Sequence, residues 1–128
     1  MKNKIEVLDC TLRDGGYYNN WDFSLDLVKD YMKAISLSGV KYIELGFRSF
    51  SSKSFRGSNW YTTENYINSL IIPNNLKVSV MVNASQIIMQ NDLESSVRKL
   101  FLKKSKSKIH LVRVASHVHE LDKTFKII

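Results

Sequence analysis

A single cysteine and no long hydrophobic run are the two scarcities that narrow this sequence of 128 residues most. Cys10 has no second cysteine with which to form an internal disulfide, and it sits in an apolar run where a buried, inert thiol is the common state. No apolar run approaches the roughly 20 residues that cross a bilayer. The start, Met1-Lys2-Asn3-Lys4, leads into a strand-like segment and not into a signal-peptide core. These absences lead to the expectation of a cytoplasmic protein with no membrane partner. Internal repeats, low-complexity tracts and interdomain linkers are missing too.

What is present is the composition of an ordinary globular domain, 44% hydrophobic and 24% charged, which argues against disorder. The net charge of +7 invites a nucleic-acid reading, so its placement matters. Much of it lies between Arg98 and Lys108, interleaved with Ser105 and Ser107, as in a solvated helix end and loop. That stretch lacks the interleaved stacking aromatics of single-strand binders, and the chain has no zinc-finger or basic-zipper pattern. Attraction of anionic substrates, or solubility, is the plainer account of the charge.

Apolar runs rich in β-branched residues alternate with segments of helical period, the pattern of βαβ units in a parallel sheet. Four such runs are evident: Ile5 to Leu8 closing at Asp9-Cys10, Val40 to Gly46, Val78 to Val82, and Ile109 to Val114. Between the first two, Ser24 is an N-cap candidate, Leu27, Val28, Tyr31, Met32 and Ile35 share a helical face, and Gly39 is the stop. Thr62 or Thr63 caps a second helix with Tyr66, Ile67 and Leu70 inward, ended by Pro73. Leu93, Val97, Leu100 and Phe101 mark a third helix, and Leu121, Phe125 and Ile128 a fourth in which the sequence stops. A unit of roughly 30 residues repeated eight times makes the ~250-residue barrel. Residues 1–128 are therefore expected to be a partial TIM (β/α)8 barrel, its N-terminal half, with a small open parallel sheet as the alternative.

In such folds chemistry gathers at the C-terminal ends of the strands. There the first run presents Asp9-Cys10-Thr11-Leu12-Arg13-Asp14-Gly15-Gly16, and the second carries Glu44 followed by Gly46-Phe47-Arg48. A carboxylate beside a guanidinium at a strand end reads equally well as a structural ion pair or as a functional one.

The segment from Asp9 to Gly16, with Glu44 on the next strand, resembles the Asp-Arg-Glu signature of the DRE-TIM metallolyase superfamily. Tyr42 to Ser49, Val80 to Ser85 and Val112 to His117 are similar to its 4-hydroxy-2-oxovalerate aldolase branch. The resemblance implies a divalent-metal lyase or aldolase that makes or cleaves a carbon–carbon bond next to a 2-oxo acid such as pyruvate. It implies Asp14 as ligand to a manganese or magnesium ion, ions suited to hard oxygen donors. Arg13 would stabilise the enolate, and Glu44 would orient Arg13.

Departures from the family pattern accompany the resemblance. No histidine base follows Asp14 in Gly15-Gly16-Tyr17-Tyr18-Asn19-Asn20-Trp21. Tyr17 or Tyr18 could exchange a proton, although a phenol of pKa about 10 is a poor base at neutral pH. The histidine pair that completes the family's metal site would fall beyond residue 128. His117 and His119 imitate its spacing, but His117 matches a fourth-strand histidine on the substrate side, and His110 reads as structural. Arg48, Arg56 and Asn83 lie on loops where they could meet a substrate carboxylate or phosphate, while Trp60 and Tyr61 read as packing residues. A half barrel also exposes two sheet edges, which a second copy could cover in a homo-oligomer. The alternative function is a catalytically inactive fragment or degenerate homologue with a binding or assembly role.

Overall fold

The computed structural model describes residues 5–128. Strands β1 (Leu8–Asp9), β2 (Tyr42–Phe47), β3 (Lys77–Asn83) and β4 (Ile109–Ala115) form one sheet in the order β1-β2-β3-β4, with every pairing parallel. Sequential order with crossover helices is how the N-terminal half of a TIM-barrel-like α/β fold is built. The helices are α1 (Thr11–Asn19), α2 (Leu25–Leu37), α3 (Ser58–Tyr61), α4 (Glu64–Ser69), α5 (Ala84–Ile88), α6 (Leu93–Leu100) and α7 (Leu121–Thr124). Among the described residues no helix is long and apolar enough to cross a membrane.

Alternation along the strands separates two faces. Ile43, Leu45, Val78 and Val80 point to the helices, where they meet Val28 and Met32 of α2 and Ile67 of α4 in the main core. A second cluster joins Val82, Ile87 and Leu100, with Val97 and Val114 packed against it. The intervening positions, Glu44, Ser79, Met81 and Arg113, therefore face the opposite side, the interior of a closed barrel. Ser24 caps α2 by accepting from the Leu27 N–H at 3.2 Å, Thr63 caps α4 and Asp92 caps α6. The chain leaves α2 through Gly39 at φ 82°, which only glycine adopts freely.

Several expectations need correcting. The first strand spans only two residues, and Ile5 and Val7 are exposed, because β1 is an edge with a neighbour on one side only. Leu27 lies outside the buried stripe of α2, which narrows to Val28 and Met32. The fourth helix is a single turn whose buried residue is Thr124; Phe125 and Ile128 are exposed and Ile127 packs inward instead. Its orientation is set by polar contacts, Thr124 Oγ1 lying 2.7 Å from Ser116 Oγ and donating to the Glu120 carbonyl at 3.0 Å.

Candidate functional site

Cys10 follows directly on the Asp9–Ile43 pairing, which sets it beside Glu44. Glu44 is fully buried, with 0% exposure, and a bare carboxylate could not stay ionised there. Two guanidiniums make it possible. Arg13 Nε donates to Oε1 at 2.9 Å from the first turn of α1. Arg113 of β4 donates from Nε to Oε2 and from Nη2 to Oε1, both at 2.7 Å. Burial by itself would raise the Glu44 carboxyl, but hydrogen bonds from Arg113 and Arg13, and their charge, hold it below its usual value. Arg113 is raised by the same hydrogen bonds, and Arg13 is raised by Glu44 and Asp14 against the opposing pull of burial.

Cys10 completes the inner side of this cluster, with its Sγ 3.4 Å from Arg113 Nη2. Desolvation, followed by the charge of Glu44, pushes its thiol up. Asp14 pairs with Arg13 Nη1 on the outer side and is exposed. It lines an open hollow of about 670 Å³ with Cys10, Thr11, Gly15, Tyr17 and Tyr18. Tyr17 and Tyr18 are exposed at its rim.

A break in regular backbone supports this arrangement. Asn20 ends α1 in the left-handed region at φ 59°, and Trp21 follows at φ 58°. Left-handed backbone at non-glycine residues costs on the order of 1–3 kcal/mol each, and it persists only where packing compensates. The compensation comes from an aromatic cluster of Tyr17, Trp21, Phe47 and Trp60, over which Arg56 lies within 5.8 Å of the Trp21 ring and 5.3 Å of the Trp60 ring.

The other sequence candidates lie apart from the cluster. Asn83 ends β3, two residues beyond the Met81 that pairs with Arg113, and thus on the same face. His117 is exposed after β4, its ring stacked on His119 at 5.5 Å, and its backbone N–H donates to Glu120 Oε2. Arg48 requires a correction: it is not a solvent-facing loop arginine but is only 7% exposed. Its guanidinium donates to the carbonyls of Leu100 and Thr62 and lies 4.0 Å from Glu64, so it ties the helical layer together. Arg56 is likewise occupied, by Asn20 Oδ1 and the indoles.

Arg113 is the site residue that sequence reasoning missed. A partial signal was available: a guanidinium inside a parallel strand calls for a carboxylate partner, and Glu44 lies on the same face of β2.

For a divalent cation the inventory is short. Among the described residues no group of three or more His, Cys, Asp or Glu side chains is placed to hold a metal ion. Glu44 is saturated by two guanidiniums, and Asp9 accepts from Thr11 and Tyr31. Asp14 is left as one exposed carboxylate, itself paired with Arg13. The described residues therefore do not by themselves make a manganese or magnesium site.

No protein-family model and no curated protein matches the sequence. Among solved structures the chain is similar to the N-terminal domain of a candidate aldolase from Bacteroides vulgatus, at 28% identity and a TM-score of 0.72. The similarity covers 96% of this chain and 39% of that one, so this chain spans well under half the length of the protein it resembles. The likeness supports an aldolase- or lyase-like superfamily fold.

Proposed function

We propose that this chain is the anion-holding half of an aldolase- or lyase-type barrel, with a binding or assembly role and no self-sufficient catalysis. The observation that carries this reading is the Arg13–Glu44–Arg113 cluster on the interior face of the sheet, beside a single exposed aspartate. Two fixed guanidiniums bound to one carboxylate retain donors for an incoming anion. Among the described residues Arg13 Nη2 and Arg113 Nη1 donate to no protein acceptor. A 2-oxo acid such as pyruvate presents a carboxylate and a carbonyl oxygen that match this donor set. Negative charge developing on that carbonyl oxygen as an enolate would be stabilised by Arg13 in its fixed orientation.

Catalysis asks for more than these residues supply. A proton must be moved, and among the described residues no histidine lines the hollow, whose titratable side chains are Cys10 and Asp14 with Tyr17 and Tyr18 at the rim. The finer reading is a divalent-metal aldolase or lyase completed by residues outside this chain, on a further segment or on a second copy. The exposure of Asp14 toward the hollow favours it, with manganese or magnesium as the ion and Asn83 and His117 as substrate contacts.

Titration of the purified chain with oxalate, a planar mimic of the pyruvate enolate, tests the reading. Expected is saturable binding that Arg13→Gln weakens at least about tenfold, as for loss of a charge-assisted hydrogen bond. Binding untouched by Arg13→Gln, or no binding at all, would remove the anion-holding role. A large gain in oxalate affinity on adding manganese, abolished in Asp14→Ala, would favour the metal-dependent reading.

A further inference from the structure

Trp21 adopts a backbone conformation that suits a bulky residue poorly, at φ 58°, directly after another left-handed residue. The result is an indole only 4% exposed, with Nε1 donating to the Arg13 carbonyl at 2.8 Å. The Trp21 N–H is fixed as well, to Gly16 O at 3.0 Å and Asn19 Oδ1 at 3.1 Å. Gly16 lies so close to the ring that a Cβ there would meet it at 2.0 Å. Phe47, edge-on to Trp21 with ring centroids 5.5 Å apart, has the Arg13 guanidinium 5.9 Å from its own centroid. Arg13 is therefore held at its main chain by Trp21 and along its side chain by Phe47, in addition to its carboxylate partners.

Trp60 offers an internal contrast. It belongs to the same aromatic cluster, 4.5 Å from Trp21 between ring centroids, yet its Nε1 has no partner among the described residues. It contributes packing and a face for the Arg56 guanidinium, but no indole hydrogen bond. The indole hydrogen bond to the Arg13 carbonyl belongs to Trp21 and not to Trp60.

We infer that Trp21 is a positioning residue for Arg13: its left-handed turn aims the indole N–H at the Arg13 carbonyl and fixes the guanidinium that meets the substrate anion. The inference rests on the anion-holding reading only for its functional consequence, since the geometry concerns this chain's own atoms. It also accounts for the run Gly15-Gly16-Tyr17-Tyr18-Asn19-Asn20-Trp21 as one device. Gly16 admits the ring, Asn20 makes the turn and Trp21 delivers the donor.

The test compares Trp21→Phe with Trp60→Phe in the full chain. Both lose an indole, and both should lower the melting temperature. Two further readouts separate them: the Arg13 Nε–H resonance, assigned by its loss in Arg13→Lys, and the affinity for oxalate. Trp21→Phe is expected to broaden or shift the Arg13 resonance and to weaken oxalate roughly five- to tenfold, as for one lost hydrogen bond. Trp60→Phe should leave both unchanged. Equal behaviour of the two variants in both readouts would overturn the inference. If Trp21→Phe does not fold, Trp21→Tyr, which also removes the indole donor, is read in its place. Should the unaltered chain bind no oxalate, the anion-holding reading fails by itself, and the Arg13 resonance alone still decides the role of Trp21.

Discussion

Glu44 must stay ionised for Arg13 and Arg113 to share one small space, and its environment is arranged for that. The carboxyl lies below its usual value of 4.5, so the folded state binds its proton less readily than the unfolded state does. Stability from Glu44 is therefore fully present above the unfolded pKa and is lost as pH falls through the folded one. Glu44→Gln removes the charge and leaves two guanidiniums facing an amide. We expect a loss of about 3 kcal/mol in urea unfolding at pH 7, the low end for a broken buried pair because Arg113 is partly exposed. That deficit should shrink as the pH falls below the ordinary carboxylate range and through the lowered pKa of the native carboxyl; a deficit constant with pH would mean that packing and not charge is lost. Cys10 reports on the same group. Burial and Glu44 raise its thiol, so alkylation by iodoacetamide at pH 8 should be slower than for free cysteine and should speed up several-fold in Glu44→Gln. Unchanged alkylation would show that Glu44 does not reach the thiol electrostatically.

Elements reach this geometry through a few close approaches of the backbone. Gly46 near the end of β2 is one: a Cβ there would lie 1.8 Å from the Asn59 carbonyl oxygen, and Asn59 itself is buried with its Nδ2 donating to Leu45 O at 2.6 Å. Gly46→Ala should cost at least about 3 kcal/mol, the upper range for overpacking, because backbone and not a flexible side chain must move. Chemical denaturation decides it, and a near-native midpoint would mean that α3 is free to shift. Much of this level was legible in the sequence. β-branched runs revealed β2, β3 and β4, and Ser24, Thr63 and Gly39 carried the boundary signals of α2 and α4. Helix α1 was not legible, because Thr11 to Asn19 contains two glycines and two tyrosines, poor helix formers in isolation. Leu12 in the main core and Gly16 against the Trp21 ring stabilise it through tertiary packing. Arg48 misled for the opposite reason. A loop arginine reads as solvated, and only the fold reveals that the carbonyls of Leu100 and Thr62 meet around it. The pairing of Arg13 with Glu44 was readable from strand adjacency, whereas Arg113 lies 69 residues from Glu44 and its contact depends on the register of two further strands.

For the molecule as a whole, the sheet presents its helix-covered face as a packed core and its other face as a row of interior residues with charge at one end. A closed barrel would bury that row. In this chain Arg13 and Arg113 compensate the ionised Glu44, and Arg13 also pairs with the exposed Asp14 of α1, so the charge of the site is already balanced without a cation. One carboxylate plus water binds magnesium or manganese weakly, and one oxygen of Asp14 is already paired with Arg13 Nη1. The proton-transfer group is a second shortfall, since general acid–base catalysis contributes typically about 10²–10⁴-fold and no histidine is among the described residues that line the hollow. The two shortfalls multiply. We therefore expect the 128-residue chain to release no pyruvate from a 4-hydroxy-2-oxo acid in manganese, while still binding oxalate through its arginines. Sedimentation run beside the assay separates the cases: inactivity in a monomer fits the half-site, and activity appearing only with self-association would mean that a second copy supplies what is missing. Metal-dependent turnover by the monomer, lost in Asp14→Ala, would overturn the expectation and make Asp14 sufficient as the protein's metal anchor.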